Sequence, residues 1–546
     1  MTIRFLRAFL FVVLALLALS SSFLALFLRD DVRGDLVVQS LIHLKDLSVY
    51  FWGQDRYFSF VPLVLSWNRN PELGLYLTAL LNAFAFFSVP YLVLIGQDLL
   101  RGRSMLFSVR SQVGHVLSLF LFASLLSFVW SREELYFFVK DASPFPLSTA
   151  LGFLSVLFWF CGPLRFDGSL GRWPRAGFLL ASALFSMFSL AVAPTTIGLS
   201  LTFLVFLFVN GRFTAPVPMR GRRYLEMLRV VAPSLVVSAL GWLLIQCADY
   251  LLKIPRLADY SVIGSLGLVR SSMNSVQVIF QERFRFASFS QLRLGLGLSV
   301  LFGALFGRSR FDLFRLPGSS VLKVNSVLIF WAYGVAALLV FSSMDWVAQN
   351  GFHFRYQYPI YLAWSLSAVL LIDDLMVGPR EVFIGSVAPM SSRALVACLL
   401  FVLSISIVAR PVLIEASSAK DVMPAARWLS GNRITFVGGD YWSVWPSYLL
   451  SMVDDSIIQL ESVAHRSSSN FGSHDLIRAQ VKDDFAANKP VYLGCLGNTT
   501  LAACSSQFLE VIQPVAEDVV VEQVSPSADQ PLGLKVLSFS QSKGLS

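Results

Sequence analysis

The chain has 546 residues, 55% of them hydrophobic and only 14% charged, with a mean hydropathy of +0.66. A soluble protein keeps roughly a quarter of its residues charged, so much of this chain does not face water. The formal charge of +9 does not point to nucleic acid, because the arginines sit in short patches between apolar runs, where they act as topology signals.

A membrane span needs about 20 mostly apolar residues. Residues 8–28 form the first, behind Arg4 and Arg7, which put the N-terminus in the cytoplasm. The run is longer than the apolar core of a secretion signal and lacks a clear small-residue cleavage site, so it reads as a span. Further runs lie at 75–94, 113–130, 147–161, 177–192, 197–209, 230–247, 292–306, 321–341, 360–372 and 395–408. That makes about eleven spans in all.

The loops after even-numbered spans carry Arg101, Arg103 and Arg110, then Arg165, Arg172 and Arg175, then Arg212, Arg220, Arg222 and Arg223, then Arg308, Arg310, Arg315 and Lys323. The opposite short loops carry little, with Arg132 and Lys140 in one and Arg355 in another. This is a positive-inside pattern. It puts residues 29–72, 248–286 and the tail from about 411 outside.

From Ala416 the charge rises and the apolar runs shorten. Alternating stretches at 433–438, 490–493, 519–524 and 534–539 predict strands, and 422–429 and 475–486 predict helices. The expected fold is therefore mainly α: a polytopic transmembrane helical bundle over 1–412, followed by an extracytoplasmic α/β domain over 413–546. Cys161, Cys247 and Cys398 fall in or at the edge of apolar runs and read as small packing residues. Cys495 and Cys504 lie in the tail and could pair in an oxidising compartment. No Cys/His spacing suggests structural zinc.

Motifs of soluble enzymes are missing: GxxxxGK[ST], HExxH, GxSxG and GxGxxG are all absent. The spans are nearly free of Asp, Glu and Lys, whereas ion-coupled transporters need ionisable groups at mid-membrane. Chemistry is thus expected in the outer segments. The first reads RDDVRGDLVVQSLIHLKDLSVYFWGQDRYFSFVP from Arg29. Asp30, Asp31, Asp35 and Asp46 follow the first span, and 36–47 is amphipathic enough to lie along the membrane surface. Tyr50, Phe51 and Trp52 then stand against the polar run Gln54, Asp55, Arg56. Two readings are open: a carboxylate held at the interface, or a charged stub with an aromatic anchor.

At this point the chain resembles the bacterial polytopic glycosyltransferases of the GT-C class, near the protein mannosyltransferase and aminoarabinose transferase group. The matching residues are Asp35, Val37, Val38, Tyr50, Phe51, Trp52, Gly53 and Gln54. The resemblance departs from the class pattern at the acid, since Gly34 and Leu36 flank Asp35 while the true pair, Asp30–Asp31, sits a turn earlier. It implies transfer of a sugar from a polyprenyl-phosphate donor at the outer face of the membrane. The acceptor is a glycan, lipid or protein that the residues do not specify. An Asp would take the acceptor hydroxyl proton as general base, a step typically worth about 10²–10⁴-fold in rate; Asp35 is favoured, then Asp31, then Asp30. The departing phosphate needs positive charge or a divalent metal ion. No ligand set for a metal is visible, although two outer acids could form one.

The resemblance also implies substrate contacts at Gln54, Asp55 and Arg56, and at Glu134 or Asp141 in the segment 131–146, whose alternative reading is a solvated loop. Arg355 and Tyr356, followed by Pro359, resemble an Arg-Tyr-x-x-Pro element of the class; Arg suits a lipid phosphate because its planar fork binds two oxygens. Interfacial anchoring by the same residues is the alternative. The basic residues of 248–286 fit either the carrier phosphate or anionic lipid. In the tail, GGDYWSVWPSYL offers Tyr441, Trp442 and Trp445 either to a sugar or to a domain core. Two other functions stay in view: a flippase for lipid-linked glycans, and an O-antigen polymerase or ligase. The expected place is the bacterial inner membrane, with the N-terminus inside and the tail in the periplasm.

Overall fold

The computed structural model describes residues 2–28, 32, 34–41, 61, 64–100, 109–130, 132–141, 145–159, 172–192, 239, 243, 247, 330–337, 358–377, 417–463, 472–516 and 518–541. The helices in chain order are α1 (Thr2–Phe27), α2 (Gly34–Leu41), α3 (Pro71–Leu100), α4 (Val109–Val129), the single turn α5 (Arg132–Leu135), α6 (Phe145–Trp159), α7 (Arg172–Val192) and α8 (Tyr358–Val377). The tail holds α9 (Ser417–Gly431), β1 (Phe436–Gly439), α10 (Tyr441–Val453), β2 (Glu461–Ser462), α11 (Gly472–Ala486), β3 (Val491–Leu496), α12 (Leu501–Ile512), β4 (Val519–Gln523) and β5 (Lys535–Gln541). Two compact units result. One takes Met1–Phe27, Asn82–Val139 and Ser143–Val408, the other Leu28–Leu81, Lys140–Ala142 and Ala409–Ser546.

Among the described residues two helices are long and apolar enough to cross a membrane, Leu6–Phe27 and Pro71–Gln97. Shorter apolar stretches lie at Gln112–Ser124, Phe145–Phe158, Gly177–Leu190 and Tyr358–Leu370. The expected spans 197–209, 292–306 and 395–408 lie outside the described residues. Of 230–247 only residues 239, 243 and 247 are described, and of 321–341 only 330–337, all helical. The start of α3 has a local cause. The Asn70 side chain accepts from the amide of Leu73 at 2.9 Å, Pro71 fills the first helical position, and Glu72 sits in the first turn, each favourable at a helix N-terminus.

In the first unit α4 packs against α1 and α8, and α6 packs along α7. Large apolar side chains stay exposed on the outer faces: Leu6, Phe9 and Leu10 on α1, Leu117 and Leu121 on α4, Leu180 and Leu184 on α7. In water such faces would be covered; in lipid they need no cover. Between α6 and α7 the serines do what apolar packing cannot. Ser148 Oγ donates to the Ser189 carbonyl at 2.6 Å and Ser189 Oγ to the Ser148 carbonyl at 2.7 Å. Two turns along, Ser155 and Ser182 repeat the exchange at 2.8 and 2.9 Å. Small residues let the helices approach, and the hydroxyls then hold them in register.

In the second unit the sheet order is β2-β1-β3-β5-β4, with β2, β1 and β3 parallel and β5 and β4 antiparallel. Parallel neighbours need crossovers, which the intervening helices supply. Phe436, Leu493, Phe508, Val511, Leu537 and Phe539 form the core on the face that α11 and α12 cover. On the other face Gly494 has no side chain, and Leu429 of α9 fills the place a Cβ would take. Gly439, at φ +116°, packs directly on Leu496, and the Asp440 amide donates to the Leu496 carbonyl at 3.0 Å. Cys495 of β3 and Cys504 of α12 form a disulfide buried in this core.

Candidate functional site

Asp35 is the second residue of α2. The rest of α2 is enclosed. Leu36 and Val37 are fully buried, and Val38, Gln39, Ser40 and Leu41 are buried with them. The helix packs against α10 of the tail. This corrects the expected surface-lying amphipathic helix: the Val37–Val38 pair is a packing pair, and from Leu36 to Leu41 no face is left for lipid. Residues 42–47 of that stretch lie outside the described residues, as do Asp30, Asp31, Gln54, Asp55, Arg56, Arg355 and Tyr356.

The helix under α2 is the aromatic motif of the tail. Asp440 stands at the N-cap position of α10 and accepts from the Ser443 hydroxyl, and the helix's Trp445 and Tyr448 are buried with their rings 5.6 Å apart. Core packing is thus the role of Trp445. At the far end Asp454 accepts from the Ser456 amide at 3.0 Å and pairs with Arg427 at 3.7 Å. The hydrogen bonds from Ser456 hold its carboxyl below the usual carboxylate range.

The segment after α4 is also buried. Its sequence, Trp130-Ser-Arg-Glu-Glu-Leu-Tyr-Phe-Phe-Val-Lys-Asp141, places charge at its ends and aromatic bulk in the centre. The single turn α5 passes into a π-helical turn, Tyr136–Lys140, a form found frequently at functional sites. Glu134 is 2% exposed, and Tyr361 of α8 donates its hydroxyl to the Glu134 carboxylate at 3.0 Å. Rings enclose the pair: Phe138 lies 4.8 Å and Trp130 5.7 Å from the Tyr361 ring. Asp141 is 3% exposed. The solvated-loop reading is therefore replaced, from Glu134 to Asp141, by a buried segment whose acid bonds to a tyrosine packed among aromatic rings. A buried carboxylate is tolerated only when hydrogen-bonded.

Two residues of this arrangement escaped the sequence. Tyr361 sits two positions beyond Pro359, where the Arg-Tyr-x-x-Pro element stops. Lys140 counted only as an outer-loop charge. In the structure it is 1% exposed and its Nζ donates to the carbonyl of Leu28. Among the described residues no group of three His, Cys, Asp or Glu is placed to hold a metal ion.

No family model matches the chain, and no curated protein does. Among solved structures it is similar to the apo crystal structure of ArnT from Cupriavidus metallidurans, at 11% identity and a TM-score of 0.44 over 97% of both chains. It is also similar to the archaeal oligosaccharyltransferase AglB from Archaeoglobus fulgidus, solved with an inhibitory peptide and a dolichol-phosphate. Here the identity is 10% and the TM-score 0.34, over 98% of this chain and 75% of that one. Both are membrane glycosyltransferases of the GT-C class that the outer segments of this sequence resemble. A likeness at this level assigns no role to any residue.

Among the described residues, the first unit holds a buried carboxylate, Glu134, hydrogen-bonded to Tyr361. A buried carboxylate that accepts from a tyrosine is fixed in orientation.

Proposed function

We propose that this chain is a membrane glycosyltransferase that moves a sugar from a polyprenyl-phosphate donor to an acceptor hydroxyl at the outer face of the membrane. The observation that carries the proposal is the seating of the Asp35 helix on α10. The helix that includes Asp35 packs on the tail, which supports a folded setting for the acid. In the reaction the acceptor oxygen bonds to the anomeric carbon as the bond from that carbon to the phosphate oxygen breaks. The proton goes to Asp35, with Asp31 next in line and Asp30 after it. The electron pair leaves with the polyprenyl phosphate, whose charge Arg355 and Tyr356 are proposed to meet. Gln54, Asp55, Arg56, Glu134 and Asp141 are proposed to contact substrate.

The tail is proposed to begin at residue 413 and to lie in the periplasm of a bacterial cell. The disulfide supports this, because disulfides persist in oxidising compartments and are rare in the cytosol. The test is product analysis with purified protein in nanodiscs and a panel of polyprenyl-phosphate sugars. The expected result is release of polyprenyl phosphate with a glycosylated acceptor. Donor that binds and crosses the bilayer without hydrolysis or transfer would instead establish the flippase reading.

A further inference from the structure

Lys140 takes no part in the reaction as described, yet among the described residues it is one of the most enclosed charges. Burying an ammonium is costly unless its protons find acceptors, and one acceptor here is the Leu28 carbonyl, 112 residues away in the chain. Leu28 is the first residue after α1 and the last before the acidic run Arg29-Asp30-Asp31. Four residues on, Val32 is fully buried, and from Leu36 the segment is enclosed against α10. The chain is therefore held at two described points, Leu28 by Lys140 and α2 by the tail.

We propose that Lys140 is a positioning residue for α2: by fixing the carbonyl of Leu28 it sets where the chain that leads to Val32 and α2 begins. The role in catalysis rests on the glycosyltransferase reading above; the role in positioning does not. A hydrogen bond from a charged donor is stronger than a neutral one, and a buried carbonyl that loses its partner bears the full desolvation penalty. The substitution Lys140→Arg keeps both charge and donors, whereas Lys140→Met keeps only the length.

The experiment is hydrogen–deuterium exchange of the full chain in nanodiscs, with wild type, Lys140→Met and Lys140→Arg. In Lys140→Met the amides of 32–41 are expected to exchange about tenfold faster or more. Lys140→Arg should recover much of the protection, and α6 and α7 should exchange as in wild type. Unchanged protection of 32–41 in Lys140→Met overturns the proposal. If Lys140→Met fails to fold, Lys140→Gln, which loses the charge but keeps a donor, is read the same way, and uniform loss of protection there also overturns it. With a polyprenyl-phosphate sugar that wild type turns over, Lys140→Met should lower kcat while the donor KM stays within about twofold; a raised KM at unchanged kcat contradicts positioning. If wild type turns over no donor of the panel, the glycosyltransferase reading fails, and the exchange result still decides the place of Lys140.

Discussion

At the scale of single residues, the pair Glu134 and Tyr361 bears the sharpest consequence. Both are buried, so Tyr361→Phe strips a hydrogen bond from a carboxylate shielded from bulk solvent. The expected cost is about 1–3 kcal/mol, read as a lowered midpoint in thermal unfolding. Glu134→Gln added to Tyr361→Phe should recover part of that loss, because the neutral amide is cheaper to leave partly unpaired. Equal midpoints for wild type and Tyr361→Phe would show that the bond contributes nothing. Asp35 was legible as a candidate because an acid just beyond a span is conspicuous. Glu134 was only half legible. Charge beside a span reads as a solvated loop, and the tyrosine that reverses this reading lies 227 residues downstream. Lys140 was hidden in the same way, because its partner is a backbone carbonyl, which has no sequence signature.

At the scale of elements, the α6–α7 pair depends on two reciprocal serine exchanges seven residues apart on each helix. Interhelical bonds of this kind average about 0.6 kcal/mol and reach about 1.7. Ser155→Ala with Ser182→Ala should therefore destabilise the helix pair by roughly 1 kcal/mol, whereas Ser155→Leu should do more harm by forcing the backbones apart. Unfolding in a mixed detergent series measures both, and a Leu variant as stable as wild type would refute the close approach. The apolar runs at 8–28, 75–94, 113–130, 147–161, 177–192 and 360–372 announced α1, α3, α4, α6, α7 and α8, since a run of that length in this composition has few other uses. Their ends were less legible, because capping groups such as Asn70 and polar turns extend the helices past the apolar part. In the tail the strands could be read from β-branched runs such as Val519-Val-Val. The helix α10 could not. Its aromatic residues read either as a sugar-binding surface or as a domain core, and Trp445 and Tyr448 are buried where α10 packs against α2 and β1. The short strand β2 has two residues, too few to leave a pattern.

At the scale of the whole molecule, the second unit joins segments from three parts of the chain, and the disulfide is its one covalent cross-link among the described residues. Cys495 and Cys504 enclose a short loop, so the entropy model gives the bridge about 2–3 kcal/mol. Cys495→Ser with Cys504→Ser should lower the unfolding midpoint of the full chain and speed exchange in β3 and α12, while leaving α6 and α7 unchanged. Because α2 rests on α10, and α10 on β1, the same variant should also loosen the helix that carries Asp35. Exchange in α2 that ignores the loss of the bridge would mean that the domain does not support the acid. The proposed function turns on this acid being the general base. The decisive comparison is the rate of sugar transfer by Asp35→Asn and Asp31→Asn against wild type, on a polyprenyl-phosphate donor that wild type uses. Asp35→Asn is expected to lower kcat by about 10²–10⁴-fold with donor binding retained and the fold intact, and Asp31→Asn to lose less. Full turnover in Asp35→Asn would show that the proton goes elsewhere and that Asp35 is not the base.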